Sequence, residues 1–351
     1  MNLNDLTGHL SAWRRSPGPL GDIVISSRVR LARNLAGMPF LSRCTEGQVR
    51  EIAELLHREL LEAPLGSETM YVDVAAATAL DREVLVERHL ISRQQAEASG
   101  ARGVAVVSDE TVAIMVNEED HLRAQVLRGG LQLDACYADI QRLDEMLERH
   151  LPFAFSSRFG YLTACPTNVG TALRVSVMVH LPALKATGQI EKTLRAARDM
   201  HLAVRGLYGE GTEAIGDLFQ VSNQTTLGRS EEQIVEEFRD VIVPGIIDYE
   251  RRARQNLLDN RRMALEDRVH RAAALLGSAR LISSEEAMYL ISHLRLGLHL
   301  GLADGLSHET LNELELAAQP GHLQKTAGRE MAPAERGEVR AKLIRQRLGD
   351  G

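Results

Sequence analysis

Five short segments of this chain combine arginine with small, hydroxyl or acidic residues in spacings that could bind phosphate. They are SSRVR (26–30), NEEDHLR (117–123), CPTNVGTALR (165–174), RVSVM (174–178) and RGLYGE (205–210), and we expect each to lie at the end of a strand. A guanidinium group offers a planar fork of donors that matches phosphate oxygens. Loops at strand ends are where open sheets usually build sites. The segments therefore predict a phosphate site built from arginine.

The common lysine-based nucleotide motifs are absent from the sequence. It contains neither a GxxxxGK[ST] loop nor an HRD catalytic loop. Only four of its 41 basic residues are lysine, which leaves 37 arginines. A genome-wide bias toward arginine codons explains most of this excess. A nucleotide bound by this chain would nevertheless have to be held by arginine.

Taken one at a time, these segments have ordinary explanations. SSRVR is typical of a surface strand end, and NEED is typical of an acidic helix start. Glu119 and Glu210 would each be an exposed glutamate, and His89 would be a surface histidine. Cys165 would be a buried cysteine acting as a small hydrophobic residue. Only the occurrence of the segments together and in this order indicates chemistry.

Length and composition limit the classes to which the chain can belong. Its 351 residues suggest about two domains, and its net charge of -7 argues against a general nucleic-acid binder. Three widely separated cysteines encode neither a disulfide framework nor a metal site. No stretch has the pattern of a signal peptide or a membrane span. We therefore expect a soluble cytoplasmic protein that contacts neither nucleic acid nor membrane.

The elements that must position these residues change in kind along the chain. Alternating or valine-rich runs predict strands in the first two-thirds; they cover residues 23–26, 70–74, 104–107, 112–116, 161–164, 175–180 and 202–205. Between them, an apolar stripe from Leu133 to Leu147 predicts a helix that faces the core, with Cys136 on the stripe.

After about residue 230, helical periodicity replaces the strand pattern. A stretch containing proline and glycine, residues 319–333, is expected to separate a final basic helix from the rest. We predict an α+β fold in which a mixed domain, residues 1–250, is followed by an all-α domain, residues 251–351.

In this order the segments resemble the signature of the phosphagen kinase superfamily. This superfamily includes creatine and arginine kinases, which transfer phosphoryl groups between ATP and guanidinium compounds. The resemblance covers roughly residues 20–250, and NEEDH and CPTNVGT are its most specific parts. It implies an antiparallel sheet flanked by helices, with ATP and Mg²⁺ as cofactors.

The chain also departs from creatine and arginine kinases. Those enzymes carry a helical domain before the catalytic domain, whereas here SSRVR begins at residue 26 and a helical region follows the mixed domain. That arrangement, with DIVISSRVRLARNL, VNEEDHLR, GYLTACPTNVGTALR and VRGLYGEGTEAIGDLFQVSNQTTLG, resembles the bacterial protein-arginine kinases of the McsB type. The resemblance implies that the phosphoryl acceptor is an arginine side chain within a protein.

By the same resemblance, the arginines surround the phosphates of ATP, Mg²⁺ bridges those phosphates, and His89 lies against the adenine ring. No separate metal site in the protein is implied. The implied ATP contacts are Ser26, Ser27, Arg28, Val29, Arg30, His89, Arg123, Arg174, Val175, Ser176, Val177, Met178, Arg205, Gly206, Leu207, Tyr208, Gly209 and Glu210.

Glu119 and Glu210 match the two family carboxylates that flank the acceptor. A guanidinium is a poor nucleophile because it is protonated and its lone pair is delocalised. The two carboxylates would orient it and one would accept its proton. The resemblance makes Cys165 a thiolate that contacts the guanidinium. We do not expect a covalent intermediate at this cysteine, because in the family phosphate passes directly to nitrogen.

Near the end of the chain, Arg336, Gly337, Arg340 and Ala341 match a family RDxxRA segment that forms an allosteric phosphoarginine pocket. Glycine replaces the acid of that pattern, although Glu338 follows immediately. The departure puts acid-dependent binding at this pocket in doubt. The alternative for the segment is a basic, solvated helix.

The resemblance further implies a homodimer and partners in the bacterial stress response. These are a heat-shock repressor and unfolded proteins as substrates, an activator protein with zinc-binding cysteines, and a Clp-type unfoldase-protease that degrades the marked proteins. Three alternatives stay open: a kinase for a free guanidino metabolite, a guanidino-modifying hydrolase with Cys165 as nucleophile, and an adaptor without activity.

Overall fold

A computed structural model describes residue 3 and residues 5–65, 68–206, 214–303 and 305–349 of the chain. Its main feature is an eight-stranded sheet in which every neighbouring pair is antiparallel, in the order β2-β3-β4-β5-β1-β8-β10-β9. The strands are β1 (Val24–Arg33), β2 (Thr69–Asp73), β3 (Gly103–Val107), β4 (Val112–Val116), β5 (Leu122–Gly129), β8 (Leu173–His180), β9 (Leu202–Arg205) and β10 (Leu218–Asn223). A small hairpin of β6 (Phe155–Ser156) and β7 (Gly160–Tyr161) lies apart from it.

Helices flank this sheet and fill the C-terminal part of the chain. Those of the first part are α1 (Ala12–Arg15), α2 (Glu46–Glu62), α3 (Ala79–Glu87), α4 (Arg93–Glu97), α5 (Leu133–Glu148), α6 (Pro182–Ala186), α7 (Ile190–Asp199) and α8 (Glu231–Glu237). Those that follow are α9 (Val243–Ser278), α10 (Ser284–His299), α11 (His308–Ala317), α12 (Pro320–Ala327) and α13 (Pro333–Gly349). The predicted α+β class, an antiparallel sheet flanked by helices and then a helical region, is confirmed.

The two faces of the central strands have different side chains, because successive residues of a strand point to opposite faces. On one face Val29, Leu31, Val175 and Val177 are buried in the main hydrophobic core, where α5 packs against β1. The opposite face of the same strands carries arginine, serine and glutamine. It is this polar face that builds the candidate site.

Two strands of the eight-stranded sheet were missed by the sequence patterns, and one prediction was too long. β5 has arginine and glutamine at alternate positions, and three of the six residues of β10 are polar, so neither shows the valine-rich pattern. The predicted strand over 161–164 ends at Tyr161, since β7 is only two residues long. SSRVR lies inside β1 rather than at its end, so its arginines are on the sheet itself.

The stretch 319–333 contains a helix, α12, where we expected a separating segment. Pro320 occupies the first turn and Gly328 ends the helix in the left-handed region at φ 69°. Proline at the start and glycine after the end are boundary signals of a helix. The presence of both residues was therefore wrongly interpreted as a linker.

Helix α9 joins the two parts of the chain. Leu257 and Leu265 belong to the main core, whereas Val269 and Leu276 belong to a second core shared with α10, α11 and α13. The helix runs without interruption through residue 250, so the domain boundary there stays a prediction. Within the described part of the chain, no helix is long and apolar enough to span a membrane.

Candidate active site

A cavity of about 590 Å³ lies over the polar face of the sheet. It brings together Arg28, Arg30, His89, Glu119, Arg123, Cys165, Arg174 and Arg205, all of which were singled out from the sequence. Its lining also includes Ser92, Arg93, Glu118, Gln125, Thr167, Asn168 and Gln220. The structure thus unites residues that lie up to about 180 positions apart in the sequence.

Strand register explains why the arginines meet. Arg30 on β1 lies between Gln125 on β5 and Arg174 on β8, its direct partners in the two antiparallel ladders. Arg28, two residues earlier on the same face, lies opposite Ser176. Because strand neighbours lie about 5 Å apart, this register places several guanidinium groups over one small area of the sheet.

The arginines outnumber the acids that face them. Burial and the nearby charges of Arg123, Arg174 and Arg205 lower the pKa of Arg28 to about 9. The same causes, with Arg28 added, lower the pKa of Arg30 well below its ordinary value. In this cavity a bound polyanion would relieve the repulsion between the guanidinium groups.

Two donors of Arg30 emphasise this imbalance. Its Nε and Nη2 atoms are buried and have no hydrogen-bond partner within the part of the chain that the structure describes. By contrast, Arg28 donates from Nη2 to Gln220 Oε1 at 2.8 Å. A buried donor without an acceptor is costly, so these two donors of Arg30 would gain from an anionic ligand in the cavity.

The two glutamates of NEED have different environments. Glu118 is buried; its carboxylate accepts from Arg123 Nη1 at 2.6 Å and from Ser92 Oγ at 2.5 Å. Burial raises the pKa of Glu118, but Arg123 and these hydrogen bonds outweigh it, so the pKa lies below its ordinary value. Glu118 therefore holds Arg123 in place as an ionised carboxylate.

Glu119 is the glutamate that faces the cavity. Burial raises its pKa above the ordinary value, and Asp120 and Glu118 add to this although Arg123 acts against it. A carboxylate with a raised pKa is a better proton acceptor than an ordinary one. Its neighbour Asp120 accepts from Asn34 Nδ2 at 2.6 Å and from the Ala164 amide at 2.7 Å, which ties NEED to the loop of Cys165.

Cys165 lies on the loop between β7 and β8, half-buried at the cavity wall. Its Sγ is 3.0 Å from Thr167 Oγ1, and its carbonyl accepts from Thr163 Oγ1 at 2.8 Å. Thr226 Oγ1 donates to the carbonyls of Thr167 and Val169. Side-chain hydrogen bonds thus hold the loop on both sides of Cys165, which lies at the cavity wall. Cys136, as predicted, is fully buried in the core.

His89 forms another wall of the cavity. Its backbone is in the left-handed region at φ 60°, and its ring centroid is 5.9 Å from that of Trp13. Burial and the charges of Arg14 and Arg28 lower the pKa of the imidazole well below its ordinary value, so the ring is neutral. An adjoining small cavity is lined by Ser26, Ser176 and Met178.

Several residues implied as ATP contacts have other positions. Ser27, Val29, Val175 and Val177 point into the core, since they occupy alternate positions on the strands. Their side chains therefore do not line the cavity, and the expectation that these residues contact ATP stays a prediction. Gly206 is buried beside β9. Leu207, Tyr208, Gly209 and Glu210 lie outside the described residues.

Some polar residues of the cavity were missed from the sequence. Gln125 lies on β5 and Gln220 on β10. Neither strand was predicted from the sequence, so the face on which these two side chains lie was not predicted either. Glu118 could have been found, because an acid five residues before Arg123 in the same motif is a candidate partner for it. Arg93 and Ser92 carry no local signal, since only the fold brings α4 to the cavity.

The C-terminal segment is part of α13. Arg340 is buried and donates from Nε to the Ala318 carbonyl at 2.6 Å and from Nη1 to the Ile282 carbonyl at 2.9 Å. A Cβ at Gly337 would lie 2.8 Å from Leu281 Cδ1. The acid of the family pattern would therefore displace Leu281 here.

Comparison with known proteins decides the family. A family model for the ATP:guanido phosphotransferase C-terminal catalytic domain matches residues 51–253, and one for the protein-arginine kinase McsB C-terminal domain matches residues 262–350. A protein-arginine kinase of Symbiobacterium thermophilum is 49% identical over 352 residues, covering 99% of both chains. The chain belongs to the protein-arginine kinase family. Another relative of that name, from Halothermothrix orenii, is 45% identical and also covers 99% of both chains.

Solved structures show that this family member has the phosphagen kinase fold. A lombricine kinase is 28% identical with a TM-score of 0.56, covering 70% of each chain. A duplicated taurocyamine kinase of Schistosoma mansoni is 25% identical with a TM-score of 0.58, covering 70% of this chain and 37% of the other. The prediction of an enzyme is confirmed. The full-length relatives are named protein-arginine kinase, so they favour neither a kinase for a free guanidino metabolite nor a guanidino-modifying hydrolase.

Proposed function

We propose that this enzyme transfers the γ-phosphoryl group of ATP to arginine side chains of proteins. The observation that carries the proposal is one cavity in which an arginine-rich sheet face meets the half-buried carboxylate of Glu119 and the thiol of Cys165. The arginines suit a polyphosphate, and the other two groups suit a guanidinium. Full-length relatives named protein-arginine kinase support the choice of acceptor.

In the proposed reaction, Arg28, Arg30, Arg123, Arg174 and Arg205 hold the ATP phosphates and stabilise the charge that develops on the transferred group. A nitrogen of the acceptor attacks the γ-phosphorus, the P–O bond to ADP breaks and an N–P bond forms. The acceptor loses one proton, and Glu119 receives it. Cys165 orients the guanidinium. We propose Glu210, which lies outside the described residues, as the second carboxylate.

The residues that line the cavity offer few free oxygen ligands for a metal, which fits a metal that binds together with the nucleotide. Guanidinium and amide groups dominate the lining, and both carboxylate oxygens of Glu118 accept hydrogen bonds already. Mg²⁺ prefers oxygen ligands and is usually held through substrate phosphates. We therefore propose that Mg²⁺ is bound through ATP and neutralises phosphate charge.

Further proposals rest on the family resemblance alone. The first is that the enzyme is a cytoplasmic homodimer that takes part in the stress response and requires an activator protein. The second is that it phosphorylates a heat-shock repressor and unfolded proteins. The third is that a Clp-type unfoldase-protease degrades the marked proteins. A phosphoarginine pocket at Arg336, Gly337, Arg340 and Ala341 would allow allosteric regulation. Arg336 is its more available arginine, because Arg340 already binds two carbonyls.

The test of the main proposal is incubation with ATP, Mg²⁺ and casein, with an equal concentration of free arginine as the parallel acceptor. Phosphosites are mapped by mass spectrometry at neutral or basic pH, because acid destroys the P–N bond. We expect phosphoarginine on casein and little ADP release with free arginine. Faster turnover of free arginine would indicate a metabolite kinase, and no ATP turnover with either acceptor would indicate an adaptor.

A further inference from the structure

The residues just before His89 are bound by a helix from the far end of the chain. Glu87, the last residue of α3, accepts hydrogen bonds from the amides of Gly321 and His322 at 2.7 and 2.8 Å. It also accepts from His322 Nδ1 at 2.6 Å. These donors belong to the first turn of α12, so one buried carboxylate caps a helix of the C-terminal region.

Arg88 continues this network. It donates from Nε to Glu110 Oε2 at 2.8 Å, and its Nη2 contacts the other oxygen of the same carboxylate and the His9 carbonyl. Its Nη1 is 3.3 Å from His322 Nε2. Arginine can only donate, so Nε2 must be the acceptor and Nδ1 carries the proton given to Glu87. One neutral tautomer of His322 therefore satisfies both neighbours.

This network is buried and tightly packed. Glu87, Arg88, Glu110 and His322 are each at most 5% exposed. A Cβ on Gly321 would lie 2.9 Å from Glu87 Oε2, so glycine allows α12 to approach the carboxylate directly. The contact is consequently specific to the first turn of α12 and the end of α3.

The next residue, His89, has a left-handed backbone conformation just after the end of α3. A left-handed histidine is unfavourable by itself and persists where its surroundings impose it. Its carbonyl accepts from Gln125 Nε2 at 2.5 Å on the cavity side. The His89 and Leu90 amides donate to the carbonyls of Val86 and Leu85 at 2.9 Å, so the end of α3 itself imposes this conformation. Glu87 and Arg88 at that same end of α3 are held by α12 and Glu110.

We propose that Glu87, Arg88 and His322 are positioning residues through which α12 fixes His89 at the nucleotide cavity. Nucleotide affinity then depends on the docking of the C-terminal helical region, far along the chain from the phosphate-binding arginines. The inference relies on the proposed function only for the identity of the ligand as ATP. The structural link between α12 and His89 can be tested without it.

The test compares His322→Ala with Lys325→Met in the full-length protein. Lys325 Nζ also joins α12 to α3, through Asp81 Oδ1 at 2.5 Å, but at the opposite end of α3 from His89. The steady-state KM for ATP, kcat and Mg-ATP affinity are measured for each. Trp13 is the only tryptophan of the chain and contacts His89, so acrylamide quenching of its emission reports on the His89 region without nucleotide.

We expect His322→Ala to raise the KM and dissociation constant for ATP about tenfold, because hydrogen bonds to charged groups are lost, with a smaller change in kcat. Quenching of Trp13 should increase. His322→Asn keeps a donor toward Glu87 and should recover part of both losses, and it replaces the alanine variant if that variant does not fold. Lys325→Met should resemble wild type in both measurements.

Unchanged ATP affinity and unchanged Trp13 quenching in a folded His322→Ala variant would overturn the proposal. So would equal effects in Lys325→Met, since these would show a general loosening of α12. If the wild-type protein binds no ATP, the proposed function fails, whereas the Trp13 comparison still decides whether α12 positions His89.

Discussion

Arg30 on β1 stands directly opposite Arg174 on β8, and two buried donors of Arg30 have no acceptor among the described residues. Like charges in directly opposed positions destabilise a sheet. The fold therefore contains a locally unfavourable arrangement at the place where phosphates are proposed to bind. Functional sites commonly contain residues that lower the stability of the fold. The stabilities of variants at Arg30 can therefore be predicted and measured.

Arg30→Met should make the unliganded protein more stable while weakening ATP binding. Removing one of the opposed charges should raise the free energy of unfolding by about 1 kcal/mol. Mg-ATP at about 100 times its dissociation constant should add about 2.7 kcal/mol to wild type, and much less to the variant. Urea denaturation with and without Mg-ATP measures both effects.

Arg128→Met is the matched control for this variant. Arg128 lies on β5 opposite Ser27 and forms an ion pair with Asp139, so its removal relieves no repulsion. It should give no gain in stability and leave the response to Mg-ATP intact. Lower stability of unliganded Arg30→Met than of wild type would contradict the argument from like charges.

Glu118→Gln tests the buried pair with Arg123. Removing one partner of a buried ion pair typically costs about 3 kcal/mol or more of stability, and a freed Arg123 should bind ATP less tightly. The pKa of Glu118 is lowered in the fold, so its contribution is complete above the unfolded pKa of about 4.3. The stability difference from wild type should shrink as pH falls below that value. A difference that persists undiminished in acid would show that the pair is not its cause.

Glu119→Gln tests the proton acceptor. We expect kcat to fall about 100-fold or more with little change in ATP affinity, because we propose that Glu119 contacts the acceptor rather than the phosphates. The pKa of Glu119 is raised in the fold. As pH falls through this pKa, Glu119 becomes protonated and kcat/KM for the protein acceptor falls. This loss of activity should begin at a higher pH than an ordinary glutamate would give. A pH-rate profile measures this. The control is Glu51→Gln, at an exposed position of α2, which should behave as wild type. An unchanged kcat in Glu119→Gln would show that Glu119 is not the proton acceptor.

Cys165→Ser tests the thiol in the cavity. Serine can keep the contact with Thr167 but lacks the sulfur that we propose orients the acceptor, so the rate should fall strongly while the fold and ATP affinity persist. Cys44→Ser is the control, since Cys44 is also half-buried but lies outside the cavity. Wild-type turnover in Cys165→Ser, with the protein folded by circular dichroism, would leave the sulfur no part in catalysis.

Local patterns were sufficient to find much of this site. Arg28 and Arg30 are two positions apart on one strand, so their sharing of a face follows from the sequence. The same alternation places Val29, Val175 and Val177 on the core face, although motif matching counted them as contacts. Strands were missed where polar site residues interrupt the hydrophobic pattern, as in β5 with Arg123 and Gln125.

The sequence by itself determined the residue types of the site, the α+β class and the resemblance to one family, because these depend on short motifs and local periodicity. Only the tertiary structure decided that Glu118 pairs with Arg123 while Glu119 faces the cavity, and that Glu87 and Arg88 bind α12. The physical reason is that burial, pKa and charge pairing depend on neighbours that strand pairing and helix packing bring from distant parts of the chain. His322 and Arg88 are 234 positions apart in the chain, yet one buried network joins them.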